Sequence, residues 1–171
     1  MTNKEFFIQM WKNEMAPTLS AIKGLPSDMS KLKYQHDEKG KKATELLSHF
    51  LGHAEVMNNA ADTFIADEKT ATTPFNTREE IAAYFEKNAA SLIDKLSAVD
   101  DKTWNEKTIS FCLDGRELFA YPMRDTFWML MFDIIHHRGQ LSTYYRQMGV
   151  RNPQIYGPTA EDIEAMNAGK K

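Results

Sequence analysis

The chain has 171 residues, a formal net charge of −3 at pH 7, 42% hydrophobic residues and 26% charged residues. This balance is typical of one soluble globular domain, which we place at residues 1–171. The scattered Lys and Arg residues predict no nucleic-acid partner, and no apolar run approaches the roughly 20 residues that span a membrane. A single cysteine, Cys112, and an N-terminus without a signal-peptide pattern predict a cytoplasmic protein.

Four stretches with apolar residues at helical spacing predict four long helices. The first should be kinked or split at Pro17, because proline removes a backbone hydrogen bond from a helix. The third begins at Thr77, where Glu80 completes a Thr-x-x-Glu capping box. The predicted helices run from about Asn3 to Gly24, from Ala43 to Glu68, from Thr77 onward, and from Met123 to Met148.

The segments between these helices complete the predicted fold. Thr70 to Asn76 interrupts the helical pattern between the second and third helices. Residues 109–113 alternate apolar and polar side chains before the turn signal Asp114-Gly115, which predicts a short hairpin or extended segment. The C-terminal tail contains a short predicted helix from Ala160 to Met166. The whole pattern predicts an all-α fold, a four-helix bundle with one long connection before its last helix.

Four of the five histidines occur in pairs, one pair in the second predicted helix and the other in the fourth. His49 and His53 are four residues apart, as are Asp133 and His137, so each of these two sets projects from one helix face. Ionisable groups on an apolar face are costly unless they are paired or bind a metal. Two imidazoles and a carboxylate from facing helices can bind a divalent transition ion and leave a position open.

The residues alone leave a structural interpretation open as well. Asp133 can hydrogen-bond a histidine and fix its tautomer in a polar pair that binds no metal. His136 adjoins His137, so we expect it to support the site or to lie at the surface. Cys112 lies in an alternating apolar segment and is expected to be a small buried residue rather than a nucleophile.

A longer motif goes beyond these spacings. The run DIIHHRGQL from Asp133 to Leu141 is followed by RQMG, ending at Gly149, and by IYGP, ending at Pro158. Together with the segment around His49, this motif resembles the DinB-like family of four-helix-bundle metalloproteins, the bacillithiol-transferase type. The resemblance covers nearly the whole chain. It implies a homodimer with a divalent metal, typically zinc or nickel.

The resemblance also implies roles for individual residues. His49, Asp133 and His137 match the metal-ligand positions, although position 133 is more often His in the family, so the metal preference should differ here. His53 is an alternative or supporting ligand. The side chains expected to orient ligands, handle protons or meet an anionic group are His136, Gln140 and Arg138, and a structural salt bridge is a second role for the last of these.

The activity that the resemblance implies is metal-dependent thiol transfer. A low-molecular-weight thiol bound at the metal as thiolate would attack a small electrophilic substrate. Two alternatives remain open, a metal-dependent hydrolase and a non-catalytic, stress-related bundle or dimerisation protein with a structural Asp-His pair. Solvent access to the site distinguishes the enzymes from the non-catalytic protein. An enzyme needs a cleft that reaches Asp133 and His137, whereas a structural pair is sealed and fully hydrogen-bonded.

Overall fold

Helices dominate the computed structural model, which describes residues 1–70 and 75–169, and a three-stranded sheet lies beside them. Part of the break predicted at 70–76 falls on residues 71–74, outside the described residues. A short 3-10 helix, Met29–Lys33, lies in the first long connection. The helices are α1 (Asn3–Lys23), α2 (Ala43–Thr63), α3 (Arg78–Ala98), α4 (Asp101–Glu106), α5 (Met123–Ser142) and α6 (Ala160–Ala168); the strands are β1 (Ile65–Glu68), β2 (Thr108–Leu113) and β3 (Arg116–Pro122).

The four long helices pack around a shared apolar core. Helix α2 contacts α3 and α5, and α1 contacts the same two helices. Large aromatic side chains fill the interior, among them Phe7, Trp11, Phe50, Phe85 and Phe127. The sheet packs against α2 through β1 and against α5 through β2 and β3, so it lies beside the two histidine-bearing helices. In the described ranges, no helix is long and apolar enough to cross a membrane.

Helix α1 is not split at Pro17, so the second of the two predicted outcomes, a split helix, does not occur. The helix runs unbroken from a capping box, in which the Thr2 hydroxyl accepts the Glu5 backbone N–H and the Glu5 carboxylate accepts the Thr2 N–H. Proline costs one backbone hydrogen bond. Trp11 and Ile22 are buried on either side of Pro17, and their packing holds the two halves in one helix.

The second helix ends earlier than predicted and a strand follows it, so the fold is mostly helical as predicted but includes a three-stranded sheet and is not all-α. Helix α2 stops at Thr63, since Phe64 adopts the left-handed conformation with φ 56°. Residues Ile65–Glu68 then form β1, which pairs in parallel with β2 and places Glu68 opposite Leu113. This pairing joins segments that are distant in sequence, so the local helical periodicity could not reveal it.

The predicted hairpin is confirmed, as is the short helix near the C-terminus. Strands β2 and β3 pair antiparallel around Asp114 and Gly115, whose φ angles of 49° and 82° suit a two-residue hairpin turn. Gly115 takes the larger positive φ without the strain that a Cβ atom would bring. The predicted helix in the tail is α6, which extends two residues past Met166.

The last long helix starts at Met123 as predicted but ends at Ser142 instead of Met148. Beyond it, the chain continues in turns in which the Thr143 N–H bonds to the Gln140 carbonyl. The Tyr145 hydroxyl donates to the backbone carbonyl of Ala21, 2.5 Å away in α1. The turns keep short-range backbone bonds, such as Met148 N–H to the Tyr144 carbonyl, so the helical spacing of apolar residues continues past the end of the regular helix.

Candidate metal centre

A cluster of imidazole and carboxylate side chains lies where α2, α5 and β1 meet. His49 and His53 come from α2, Asp133 and His137 from α5, and Glu68 from the end of β1. The structure therefore brings the four residues of the two predicted sets together. Glu68 is the addition, because the sequence pattern had placed it in a helix.

Three imidazoles converge on one oxygen of Asp133. His49 Nε2 and His53 Nδ1 each lie 3.2 Å from Asp133 Oδ2, and His137 Nε2 lies 3.3 Å from it. Despite this distance, His53 Nδ1 is not aligned for a hydrogen bond and has no partner among the described residues. One carboxylate oxygen thus faces three ring nitrogens, a set of donor atoms that could bind one divalent cation together.

Each ring has one nitrogen near Asp133, its inner nitrogen, and one that faces away, its outer nitrogen. Two further side chains contact the outer nitrogens. Glu68 Oε1 lies 2.5 Å from His49 Nδ1, and Glu68 Oε2 lies 3.5 Å from His53 Nε2. Gln140 Oε1 lies 2.7 Å from His137 Nδ1. Metal-binding histidines generally donate their outer ring N–H to a carboxylate or carbonyl oxygen. His49 and His137 both follow this pattern, which leaves their Nε2 atoms facing Asp133.

The ligand atoms that face Asp133 are spaced closely enough to share one metal ion. Metal bonds of about 2.0–2.1 Å to nitrogen and oxygen place neighbouring ligand atoms about 3.3 Å apart. The distances from Asp133 Oδ2 to His49 Nε2 and His137 Nε2 are 3.2 and 3.3 Å. His49, His53 and Asp133 also offer ligand atoms that all lie within 4.8 Å of one another. Imidazole and carboxylate donors together suit zinc and its neighbours among the transition metals.

The close contacts within the cluster shift the pKa values of its side chains. Hydrogen bonds to Asp133 and then to Glu68 raise the pKa of His49 to about 9, against the effect of burial. Burial opposes the charged form of Glu68, but the hydrogen bonds and charges of His49 and His53 outweigh it and lower the pKa of Glu68 to about 2. Burial likewise opposes ionisation of Asp133, but His137 and His49 hold the pKa of that carboxyl far below its usual range. Both carboxylates are therefore ionised at neutral pH, and the charged form of His49 lies between them.

This charge pattern gives a pH dependence for the metal-free protein. His49 stabilises the fold fully below pH 6.5, and its contribution is lost as the pH rises through about 9. Glu68 contributes fully above pH 4.5, and its contribution is lost as the pH falls through about 2. We expect the melting temperature in chelator, followed by circular dichroism, to be highest between pH 4.5 and 6.5. A flat profile between pH 6.5 and 9 in the wild type, or an unchanged fall in His49→Gln, would contradict this assignment.

A cavity of about 660 Å³ opens onto the cluster. His49, His53, Glu68, Asp133 and His136 form its polar lining, and the rest of its surface is predominantly apolar. A smaller cavity of about 500 Å³ also reaches His49 and Glu68, and its lining includes two lysines, Lys41 and Lys69. The cluster is therefore open to small molecules at His49, His53, Glu68 and Asp133, whereas His137 is buried and does not line either cavity.

The other predicted residues separate into two groups. His136 is exposed and lines the larger cavity, and its Nε2 lies 3.0 Å from Gln140 Nε2. Arg138 is outside the cluster, because it is buried and forms an ion pair with Glu14 at 2.6 Å. Of the two roles predicted for Arg138, the structure shows the salt bridge. Cys112 is buried as expected.

Sequence reasoning missed Glu68, which holds the outer face of His49. The available signal was the Phe64-Ile-Ala segment, whose bulky residues suit a strand as well as a helix. Only its pairing with β2 decides between them, and that pairing brings the carboxylate back beside a helix residue 19 positions earlier in the chain.

Fold and site together define a mostly helical protein with a candidate metal centre between two of its long helices. The chain belongs to the DinB family, whose family model matches residues 1–169. A DinB-like protein from Bacillus cereus ATCC 10987 has a similar structure, with 23% identity, a TM-score of 0.69, and coverage of 89% of this chain and 97% of that one. A DinB-like protein from Bacillus subtilis gives 16% identity, a TM-score of 0.64 and coverage of 90% and 99%. No functionally curated protein matches the chain.

Proposed function

We propose that the protein binds a divalent metal ion, zinc or nickel, and catalyses transfer of a low-molecular-weight thiol to a small electrophile. The supporting observation is the 660 Å³ cavity that reaches the imidazole and carboxylate cluster. It favours an enzyme over a non-catalytic protein with a structural Asp-His pair, because such a pair gains nothing from contact with an open cavity. We also propose that the protein is a single domain over residues 1–171, that its helices form a four-helix bundle, and that it is a cytoplasmic homodimer.

The proposed ligands are His49, Asp133 and His137. Glu68 and Gln140 hold the outer nitrogens of the two imidazoles, so their Nε2 atoms are directed inward. His53 lies equally near Asp133, but its outer nitrogen is 3.5 Å from Glu68 and is held less closely. It is therefore the supporting residue of the set. Three protein ligands leave a fourth position free for a reactant.

The chain's own residues then divide the work of the reaction. A divalent cation held by His49, Asp133 and His137 would lower the pKa of a thiol bound beside them from about 8.5 toward neutrality. The thiol sulfur forms the new bond to the electrophilic carbon, and the leaving group takes the electron pair of the bond that breaks. His136, an exposed imidazole on the cavity wall, takes the proton that the thiol releases. Apolar side chains around the cavity keep water from competing with the thiol.

Two cavities that meet at one centre favour transfer over hydrolysis. The larger and the smaller cavity both reach His49 and Glu68, so two organic reactants can approach the cluster from different sides. A hydrolase needs room for one substrate and a water molecule. Hydrolysis by a metal-bound water remains the second candidate, since the same ligands can support it.

The proposal is tested by the metal content of protein purified without a polyhistidine tag or chelator. We expect close to one zinc or nickel ion per chain by elemental mass spectrometry, removable by chelator and restored by dialysis against the metal. The exposed His36 lies outside the cluster, so His36→Gln should keep the wild-type content. Wild-type protein that takes up no divalent metal at neutral pH would overturn the proposal.

Glu68→Gln is expected to weaken zinc affinity by roughly 10- to 100-fold, the usual effect of losing an outer partner of a metal-bound histidine. The amide keeps the size of the carboxylate but presents a weaker acceptor to His49 Nδ1. A competition titration against a zinc-binding dye measures the change. The exposed strand residue Glu117 provides the control, and Glu117→Gln should leave the affinity unaltered. Equal zinc affinities of Glu68→Gln and Glu117→Gln would show that Glu68 does not support the metal site.

A further inference from the structure

The larger cavity has an apolar part that the metal centre does not use. Three elements build it, since α5 and the sheet form its walls and α2 supplies the histidines. Apart from the polar cluster and His136, the lining consists of large apolar side chains. These are Phe111, Phe119, Met129, Leu130 and Phe132. Small-molecule sites commonly combine such an apolar wall with a few convergent polar groups.

Aromatic rings give this wall a flat shape. Phe111 and Phe119 are cross-strand partners whose rings stack in parallel, with centroids 4.7 Å apart and an interplanar angle of 0°. Phe132 projects from α5 and is 59% exposed, although it lies beside Trp128 at 5.5 Å. An exposed ring at the edge of an apolar cavity gains from contact with a ligand of similar character.

The charges around this cavity exclude a strongly anionic occupant. Among the described residues that line it there is no Lys or Arg, whereas Glu68 and Asp133 are both acidic. A divalent ion would neutralise these two carboxylates and leave no surplus positive charge. The smaller cavity is different, because Lys41 and Lys69 contribute to its lining. The two entrances therefore favour ligands of different charge.

We infer that the larger cavity binds the electrophile and that this substrate is an uncharged molecule with a flat, aromatic or similarly apolar body. The inference rests on the proposed thiol transfer and adds the substrate class to it. The cavity volume of about 660 Å³ suits a molecule of this kind, since small-molecule sites span roughly 300–1,000 Å³. The apolar body packs between Phe119 and Phe132, and its reactive atom faces the cluster.

Two fluorescent probes that differ by one charged group provide the test. N-phenyl-1-naphthylamine is neutral, and 1-anilinonaphthalene-8-sulfonate has the same ring body with an added sulfonate. Both are titrated into zinc-loaded and chelator-treated protein, and fluorescence gives the affinity and stoichiometry. We expect one neutral probe per chain, bound at least about fivefold more tightly than the sulfonate, which corresponds to roughly 1 kcal/mol. Equal binding, or tighter binding of the sulfonate, would overturn the inference.

Variants locate the bound probe and separate the two proposals. Phe132→Ser should weaken binding of the neutral probe by about fivefold or more through lost apolar contact, and its folding is checked by circular dichroism. Ile163→Ser is the control, because Ile163 is 48% exposed on α6 and lies outside the cavity lining. Similar losses in both variants would overturn the inference. Neutral-probe binding that depends on Phe132 in protein unable to take up metal would instead refute the proposed function and leave the cavity assignment standing.

Discussion

Replacement of Asp133 by alanine is expected to abolish stoichiometric metal binding, with an affinity loss beyond the roughly 100-fold upper range for outer partners. Asp133 Oδ2 is the atom on which the three imidazoles converge, at 3.2 to 3.3 Å. Without it, the inner nitrogens of the histidines have no anion among them and a bound cation keeps no carboxylate ligand. Isothermal titration of chelator-treated protein with zinc measures the loss.

The same titration decides which histidine completes the ligand set. His137→Gln should cost far more affinity than His53→Gln, because Gln140 orients the His137 ring and no comparably close partner orients His53. The reverse order would assign the third ligand to His53. His36→Gln again serves as the matched control. An Asp133→Ala variant that binds zinc as tightly as the wild type would show that the metal, if any, lies elsewhere.

Replacement of Arg138 by methionine is expected to lower the free energy of unfolding by about 3–5 kcal/mol, the usual cost of breaking a buried ion pair. Arg138 is 1% exposed and forms an ion pair with Glu14 at 2.6 Å. Its guanidinium also donates to the Thr18 hydroxyl at 2.8 Å and to the Tyr156 hydroxyl. Methionine fills much of the volume but leaves the Glu14 carboxylate without its cation.

For a chain of this size, that loss should lower the melting temperature by roughly 10 °C. Arg124 forms a surface pair with the neighbouring Asp125 and is the matched control. Arg124→Met should change stability by no more than about 1 kcal/mol, as exposed ion pairs do. If Arg138→Met and Arg124→Met have the same melting temperature, the network around Arg138 does not stabilise the fold. Metal content should stay near wild type in the folded fraction of Arg138→Met, because Arg138 lies outside the cluster.

The sequence predicted those parts of the fold that depend on local chemistry. The start of α3 at Thr77 follows from a side-chain cap, and the Asp114-Gly115 turn follows from backbone preferences. The parts that failed depend on distant partners. Strand β1, which follows the left-handed residue Phe64, pairs with β2 more than 40 residues later, and the Tyr145 hydroxyl bonds to Ala21 in α1. Periodicity within one segment cannot contain that information.

In the candidate site, too, local spacing predicted some residues, while others depend on contacts between distant segments. Spacing of four residues was enough to bring His49 and His53 onto one helix face and Asp133 and His137 onto another, and the helix packing then brought the faces together. Glu68 could not be found this way, because it reaches the site from a strand. The burial of Arg138 against Glu14 likewise depends on α1, which is far away in sequence.

The position of Glu68 on β1 makes the sheet and the candidate metal centre a single cooperative unit. Alternate residues of a strand face opposite sides, so a slip of one residue between β1 and β2 would turn Glu68 away from His49 and present Asp67 instead. Asp67 now accepts the Gly115 backbone N–H at the hairpin turn, so the slip would also break that bond. Any ligand that tightens the imidazole cluster therefore selects one strand register. Amide hydrogen exchange in β1 and β2 should accordingly slow when zinc is added.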